Sequence, residues 1–298
     1  MAILDLVYAS QHLGGKCFMS RVPGTGTSLT INMAWINSRE SRSPQFLRHN
    51  HEACIMHTLT PFLILCGCIV TAQMQAQSSA PSPNKLASEV DHVSFSTEDG
   101  GLLYADLYGN SDRGLVLAHG GQFTKESWQP QAQYLVKAGF RVLAFDFRGF
   151  GKSHGPGDSD MDTAPMHLDV LAAVRFLRHD GAKTVAVMGG SFGGAAAADA
   201  SIASRPGEIN KLILLAAEGN GPAERIKAPL LIIVARDDAN DDGLRLPHIR
   251  TWFDKAPKPK KLIVLGGSAH AQFLFQTNQA DRVMKEVVRF LSATKSPD

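Results

Sequence analysis

A serine, an aspartate and a histidine are the residues best suited to chemistry in this chain. Ser191 lies in the pattern Gly-x-Ser-x-Gly, and Asp238 and His270 follow it in that order, each shortly after an apolar run. A serine hydroxyl is a poor nucleophile at neutral pH, because it keeps its proton until a nearby base removes it. Histidine suits that task, and a carboxylate can orient the imidazole and stabilise its charged form. The order serine, acid, histidine is typical of one class of nucleophilic triad.

The surroundings of Ser191 say more than the five-residue pattern itself. A chain with 27 glycines among 298 residues contains such a pattern by chance fairly often. Here the apolar run Val185–Met188 precedes the serine and the alanine-rich segment Ala195–Ser204 follows it, which predicts a sharp strand-to-helix turn. Residues two positions before and after the serine must be very small in such a turn, and Gly189 and Gly193 meet that demand. The alternative is an ordinary glycine-rich turn without chemistry.

The elements that must position these residues alternate between strands and helices from residue 90 onward. Apolar runs predict strands at His92–Ser96, Leu102–Tyr108, Leu115–Ala118, Arg141–Asp146, Val185–Met188, Leu212–Ala216, Leu230–Ala235 and Leu262–Leu265. Helices are predicted at Ser127–Ala138, Met166–His179, Ala195–Ser204, Leu246–Phe253 and Gln279–Ala293. This alternation indicates an α/β fold with a mainly parallel sheet covered on both faces. Ligands bind beyond the carboxyl ends of such strands, which is where the serine, aspartate and histidine stand.

From about residue 90 onward, the chain resembles the serine hydrolases of the α/β-hydrolase fold. The segments that carry the resemblance are His119-Gly120-Gly121, Asp146–Ser153, Gly189–Gly193, Asp238 and His270. The most specific segment reads Asp-Phe-Arg-Gly-Phe-Gly-Lys-Ser, which no simple turn chemistry requires. The resemblance implies a mainly parallel sheet of eight strands with helices on both faces.

The resemblance also implies a role for each site residue. Ser191 attacks an acyl carbon and forms an acyl-enzyme, and His270 acts first as general base and then as general acid. The backbone N–H groups of Gly121 and Phe192 form the oxyanion hole, which stabilises the negative charge that develops on the substrate oxygen.

The choice of the acid depends on one loop after the strand that ends at Ala235. Its aspartates are Asp237, Asp238, Asp241 and Asp242. Family members often place the acid three residues after a small residue that ends the strand. Asp238 is therefore predicted to orient the histidine, and Asp237 is the alternative. The others are expected to be solvated carboxylates or helix caps.

Other motif residues are assigned supporting roles. His119 is predicted to shape the oxyanion loop through hydrogen bonds. Asp146 and Arg148 are predicted to order the loop after their strand. The candidates for lining a substrate pocket are Phe123, Trp128 and Phe192, because they follow motif positions.

The spacing of the sixth and seventh strands predicts that no lid domain is present. Only residues 217–229 separate them, whereas many relatives insert several dozen residues there. An open site favours carboxylic esters with short-chain or compact acyl groups. A compact fold without a lid is similar to that of dienelactone-hydrolase relatives. A thioesterase or an acyltransferase would show the same triad. A non-catalytic binding protein of this fold would be expected to lose one member of it.

Composition argues against several other classes of function. The formal net charge is +2 and no basic cluster is interleaved with aromatic residues, so no nucleic-acid partner is predicted. All four cysteines precede residue 69, and no histidine pair with metal-ligand spacing follows them. We therefore predict an enzyme without a metal ion or other cofactor that acts on a small-molecule ester.

The N-terminal part of the chain is predicted to lie outside the catalytic domain, which spans residues 90–298. Residues 1–55 are interpreted as an upstream segment, 56–76 as a signal peptide and 77–89 as a linker. The apolar stretch of the signal peptide is too short for a membrane span. A secreted or periplasmic enzyme is predicted, and the alternative is a membrane-anchored lipoprotein with its lipid at Cys68.

Overall fold

The computed structural model describes residues 89–161 and 163–293. The predictions for residues 1–55, for the signal peptide at 56–76, for the linker as far as residue 88 and for Cys68 lie outside these residues. No helix of the described part is both long enough and apolar enough to cross a membrane.

The described residues alternate between strands and helices as predicted. The strands are β1 Val90–Ser96, β2 Leu102–Tyr108, β3 Arg113–Ala118, β4 Arg141–Phe145, β5 Thr184–Gly190, β6 Lys211–Leu215, β7 Leu230–Ala235, β8 Ala239–Asn240, β9 Gly243–Leu244 and β10 Lys260–Leu265. The α-helices are α1 Gln129–Lys137, α2 Met166–His179, α3 Phe192–Ala203, α4 Arg245–Lys255 and α5 Ala280–Ser292. Short 3₁₀ helices span Lys125–Trp128, Ala223–Arg225 and Ala271–Gln276.

Eight of the strands form one sheet in the order β1-β2-β4-β3-β5-β6-β7-β10. The strands from β4 to β10 in this order run parallel to one another, whereas β2 is antiparallel to both of its neighbours. The carboxyl ends of β3, β5, β7 and β10 therefore meet at one edge of the sheet. The predicted eight-stranded, mainly parallel sheet is confirmed.

Both faces of the sheet are buried, because the central strands β3, β5, β6 and β7 carry no polar side chain after their first residue. In β7, the side chains of Leu230, Ile232 and Val234 belong to one core, and those of Leu231, Ile233 and Ala235 belong to the other. Helices α2, α3 and α4 cover the first core, and α1 and α5 cover the second. A strand buried on both sides reads as a continuous apolar run rather than as an alternation, which is why the sequence pattern located it.

The connection from β6 to β7 carries no lid. In the described structure, the 3₁₀ helix Ala223–Arg225 is the only helical element between these strands. The prediction of a protein without a lid domain is therefore confirmed.

Two helix boundaries differ from the predicted ones for reasons of local chemistry. The predicted helix Ser127–Ala138 begins only at Gln129, after a 3₁₀ helix. An earlier start would place Pro130 at a position where an α-helix needs a backbone N–H, which proline lacks. Helix α3 begins at Phe192 rather than three residues later, because Ser191 itself is its N-cap residue.

A buried ion cluster fixes the loop after β4. The Arg148 side chain is fully buried and donates hydrogen bonds to both carboxylates of Asp99 and Asp169, at distances between 2.6 and 3.0 Å, and to the Pro156 carbonyl at 2.7 Å. The bond to Arg148 lowers the pKa of Asp99 to about 2. Burial raises the pKa of Asp169, against the opposing effect of Arg148. The cluster joins the β1–β2 turn, α2 and the loop after β4, so the predicted ordering role of Arg148 is confirmed.

Candidate active site

The turn at Ser191 has the strained geometry that its sequence predicts. Ser191 has φ +50° and ψ −120°, a conformation that costs about 1–3 kcal/mol for a residue other than glycine. A Cβ atom at Gly189 would lie 2.3 Å from the carbonyl oxygen of Gly193, and one at Gly193 would lie 2.3 Å from that of His119. No side chain fits at either position. The turn therefore requires glycine on both sides of the serine and holds its hydroxyl at the carboxyl end of β5.

The structure brings Ser191, Asp238 and His270 together at the predicted edge of the sheet. His270 Nε2 lies 2.7 Å from Ser191 Oγ, and His270 Nδ1 lies 2.7 Å from Asp238 Oδ2. A carboxylate only accepts hydrogen bonds, so the Nδ1–H of His270 donates to Asp238. Nε2 of the neutral ring then carries a lone pair, which accepts the hydrogen bond from the serine hydroxyl. This tautomer is the one that a general base acting on serine requires.

The geometry distinguishes between the two candidate acids. Asp238 is 1% exposed and points at His270, whereas Asp237 is exposed to solvent. Arg245 contributes a contact that the sequence pattern did not indicate. Its Nε lies 3.5 Å from Asp238 Oδ1, and its backbone N–H donates to the Asp238 carbonyl at 2.9 Å. The backbone of Asp238 is thus joined to the first residue of α4, and the Arg245 guanidinium lies near the carboxylate.

Gly121 and Phe192, the two residues predicted to supply oxyanion donors, are neighbours in the structure. The Gly120 carbonyl accepts hydrogen bonds from His119 Nδ1–H at 2.9 Å and from the Phe123 N–H at 3.0 Å. The N–H of Gly121 points to the opposite side, because the C=O and N–H of a trans peptide are antiparallel. Phe192 is the first residue of α3, where N–H groups have no partner within the helix. A Cβ atom at Gly121 would lie 3.8 Å from that of Phe192, so the two groups are neighbours.

His119 is a buried, neutral histidine that supports this loop. Its side chain is fully buried, and its Nε2 accepts a 3.2 Å hydrogen bond from the backbone N–H of Phe147. Burial lowers its pKa to about 4. One ring nitrogen therefore donates to Gly120 and the other accepts from Phe147, which ties the loop after β3 to the loop after β4. The predicted hydrogen bonds of His119 are confirmed, and the oxyanion role of the loop that they support stays a prediction.

The buried His119 predicts a loss of stability in acid. Unfolded histidine has a pKa near ~6.5, so between that value and about 4 the unfolded chain binds a proton that the folded chain does not. Stability is therefore lost as the pH falls through this window, by about 3 kcal/mol in total. Urea unfolding at several pH values should show this loss, and His119→Asn should remove that share of it. The exposed His179→Asn is the matched control, and an unchanged pH dependence in His119→Asn would contradict this account.

The three candidate pocket residues differ in where the structure places them. Phe123 is half-buried, and its ring lies 5.2 Å from that of Phe273, which is 36% exposed and follows His270 by three positions. Phe192 is also half-buried and packs against Phe147. The prediction for Trp128 is wrong. This residue is fully buried in the core beneath α1 and α5, because it belongs to the helical segment that packs on the sheet and not to the loop above it.

Comparisons with known proteins agree with this architecture. The family model described as alpha/beta hydrolase fold matches residues 115–254. Over 152 residues the chain is 31% identical to a non-heme chloroperoxidase of Streptomyces lividans. The aligned region covers 50% of this chain and 49% of that protein. The chain is 32% identical over 151 residues to the bifunctional esterase/perhydrolase DCH of Acinetobacter calcoaceticus. That aligned region covers 50% of this chain and 48% of that protein. The chain thus spans about half the length of these curated relatives.

A solved structure supports the same fold over a larger share of the chain. The esterase Pf2001 of Pyrococcus furiosus superposes with a TM-score of 0.61 at 22% identity, covering 72% of this chain and 96% of that one. The sheet order and the family model agree with this likeness. The chain has the α/β-hydrolase fold.

Proposed function

We propose that this protein is a serine hydrolase that cleaves carboxylic esters through an acyl-enzyme. The observation that carries the proposal is the position of His270, which lies within 2.7 Å of both the Ser191 hydroxyl and the Asp238 carboxylate. These distances are in the range at which a base can take the proton of a nucleophile and be oriented by an acid. The names of two similar proteins, an esterase of Pyrococcus furiosus and a bifunctional esterase/perhydrolase of Acinetobacter calcoaceticus, also support it.

The reaction proceeds in two halves. Ser191 Oγ attacks the ester carbonyl carbon while its proton moves to His270 Nε2, and Asp238 stabilises the resulting imidazolium. The bond to the alcohol then breaks, and the alcohol leaves with the proton from His270. In the second half, water attacks the acyl-enzyme as His270 takes its proton. The carboxylic acid is released and Ser191 regains its hydrogen.

The N–H groups of Gly121 and Phe192 are proposed to bind the oxyanion in both halves. Their adjacency supports this role, and so does the location of Phe192 at the N-terminus of α3, where the helix dipole favours negative charge. Loss of one such donor costs about 100- to 1000-fold in kcat in comparable enzymes.

The open carboxyl edge favours short-chain or compact acyl groups. Without a lid there is no enclosed tunnel to bury a long alkyl chain along its length. The aromatic pair Phe123 and Phe273 lies between the loop of Gly121 and the loop of His270. We propose that this pair offers a small apolar surface for the acyl group, enough for only a few carbon atoms.

A second candidate function uses the same acyl-enzyme with another acceptor. The relatives named as a chloroperoxidase and as an esterase/perhydrolase favour hydrogen peroxide as one such acceptor. Attack by peroxide instead of water would release a peracid and restore Ser191. A thiol ester substrate or an alcohol acceptor would require the same triad.

The test is hydrolysis of p-nitrophenyl acetate, butyrate, octanoate and palmitate by the full chain. We expect kcat/KM to fall with chain length, and a fluorophosphonate to stop the reaction and label Ser191. With added peroxide, alcohol or thiol, the measurement is the fraction of the acyl-enzyme that reacts with that acceptor rather than with water. A protein that turns over none of the esters and is not labelled at Ser191 would rule out the proposed function.

A further inference from the structure

Gln272 stands out among the buried polar residues because its side chain contacts two other loops of the site. It is 5% exposed and follows His270 by two positions. Its Oε1 accepts a 2.6 Å hydrogen bond from the backbone N–H of Gly120, and its Nε2 donates a 2.7 Å hydrogen bond to Ser127 Oγ. A Cβ atom at Gly190 would lie 3.5 Å from its Cγ. The side chain thus lies between the residues that precede Gly121 and Ser191.

A chain of hydrogen bonds sets the orientation of this amide. The Ser127 hydroxyl donates to the Thr124 carbonyl at 2.6 Å, so its oxygen is available to accept from the Gln272 NH₂ group. The amide oxygen must then face Gly120. The amide is fixed at both ends, and the Gly120 N–H has one defined partner.

This contact bears directly on the direction of the Gly121 N–H. The peptide that carries that N–H is held on its other side, where the Gly120 carbonyl accepts from His119 and Phe123. Gln272 holds the preceding peptide. With both peptides fixed, rotation about the bonds of Gly120 is restricted, so the direction of the Gly121 N–H is set. Glycine at 120 would otherwise be free to rotate.

We propose that Gln272 is a positioning residue for the oxyanion hole, coupling the loop of the general base to the loop that supplies the Gly121 donor. The inference rests on the proposed ester hydrolysis. Gln272 does not contact the reacting atoms in this arrangement. It keeps one donor aligned with the position that the oxyanion occupies only in the transition state, so its loss should lower kcat and leave substrate binding nearly unchanged.

The test compares the Gln272→Met variant with the parent protein, both as full chains. It uses p-nitrophenyl acetate as substrate and a boronic acid that mimics the tetrahedral intermediate. Methionine keeps the volume of glutamine but makes neither hydrogen bond. We expect kcat to fall about 10- to 100-fold with KM within about two-fold, and boronic acid affinity to fall in parallel with kcat/KM. Gln276→Met is the matched control, since Gln276 is exposed in the same 3₁₀ helix, and it should not change kcat.

Ser127→Ala provides a milder second variant that keeps Gln272. It should lower kcat by less, and Ser127→Ala combined with Gln272→Met should be no slower than Gln272→Met alone, because Ser127 acts through the amide. If the parent chain hydrolyses esters through Ser191 and Gln272→Met keeps its kcat, the inference is wrong and the proposed function stands. The inference is also wrong if the losses of kcat in Ser127→Ala and Gln272→Met add in the combined variant, or if Gln276→Met loses as much kcat as Gln272→Met. A parent chain without Ser191-dependent turnover would remove the proposed function, and this inference with it.

Discussion

Ser191→Ala is expected to lower kcat for ester hydrolysis by about a million-fold, the loss seen when the nucleophile of a comparable triad is removed. Alanine lacks the oxygen that forms the acyl-enzyme, and among the described residues no other hydroxyl donates a hydrogen bond to His270 Nε2. The fold should be retained, because alanine occupies the same space at the half-buried turn. Steady-state kinetics with p-nitrophenyl acetate and a thermal melt of the same sample measure the two effects.

Ser201→Ala in the following helix is the matched control. Ser201 is fully buried, and its hydroxyl accepts a 3.3 Å hydrogen bond from the backbone N–H of Lys227, far from the triad. It should keep the parent kcat, although its stability can change. If Ser191→Ala retained a tenth or so of the activity after removal of contaminating esterases, the nucleophile would lie elsewhere and the role of the triad would be wrong.

The sheet and the triad were predictable because their signals are local in the sequence. An apolar run such as Leu230–Ala235 identifies a strand buried on both faces, and parallel strands deliver their carboxyl ends to one edge. Residues that follow different strands are thereby brought together without any knowledge of contacts. This is why Ser191 and His270, separated by many residues, could be assigned to one site.

The supporting contacts could not be predicted, since they depend on how loops pack. Gln272 lies in a segment without a periodic pattern and Arg245 lies at the very start of a helix, and their partners are backbone groups or carboxylates on other loops. Asp99 and Asp169, which hold Arg148, look like ordinary turn and helix residues in the sequence. Trp128 shows the opposite error, because its nearness to a motif outweighed the helical segment that places it in the core.

Asp238→Asn is the second substitution with a large expected effect, and its neighbour offers a control of the same chemistry. We expect Asp238→Asn to lower kcat by about 10,000-fold, as in a comparable triad. An asparagine can donate its NH₂ group to His270 Nδ1, which then carries the lone pair. The proton moves to Nε2, where the ring can no longer accept the hydrogen of Ser191. The loss thus arises from the wrong tautomer, even with every atom near its present position.

Asp237→Asn makes the same chemical substitution at the preceding residue, whose side chain is exposed. It should leave kcat within about two-fold of the parent value. Both variants remove one negative charge from the loop, so a general electrostatic effect would lower their activities alike. A large loss confined to Asp237→Asn would show that the acid is Asp237. A large loss confined to Asp238→Asn would instead tie catalysis to the one carboxylate of the loop that is buried against the histidine, because net charge and residue type are matched between the two variants.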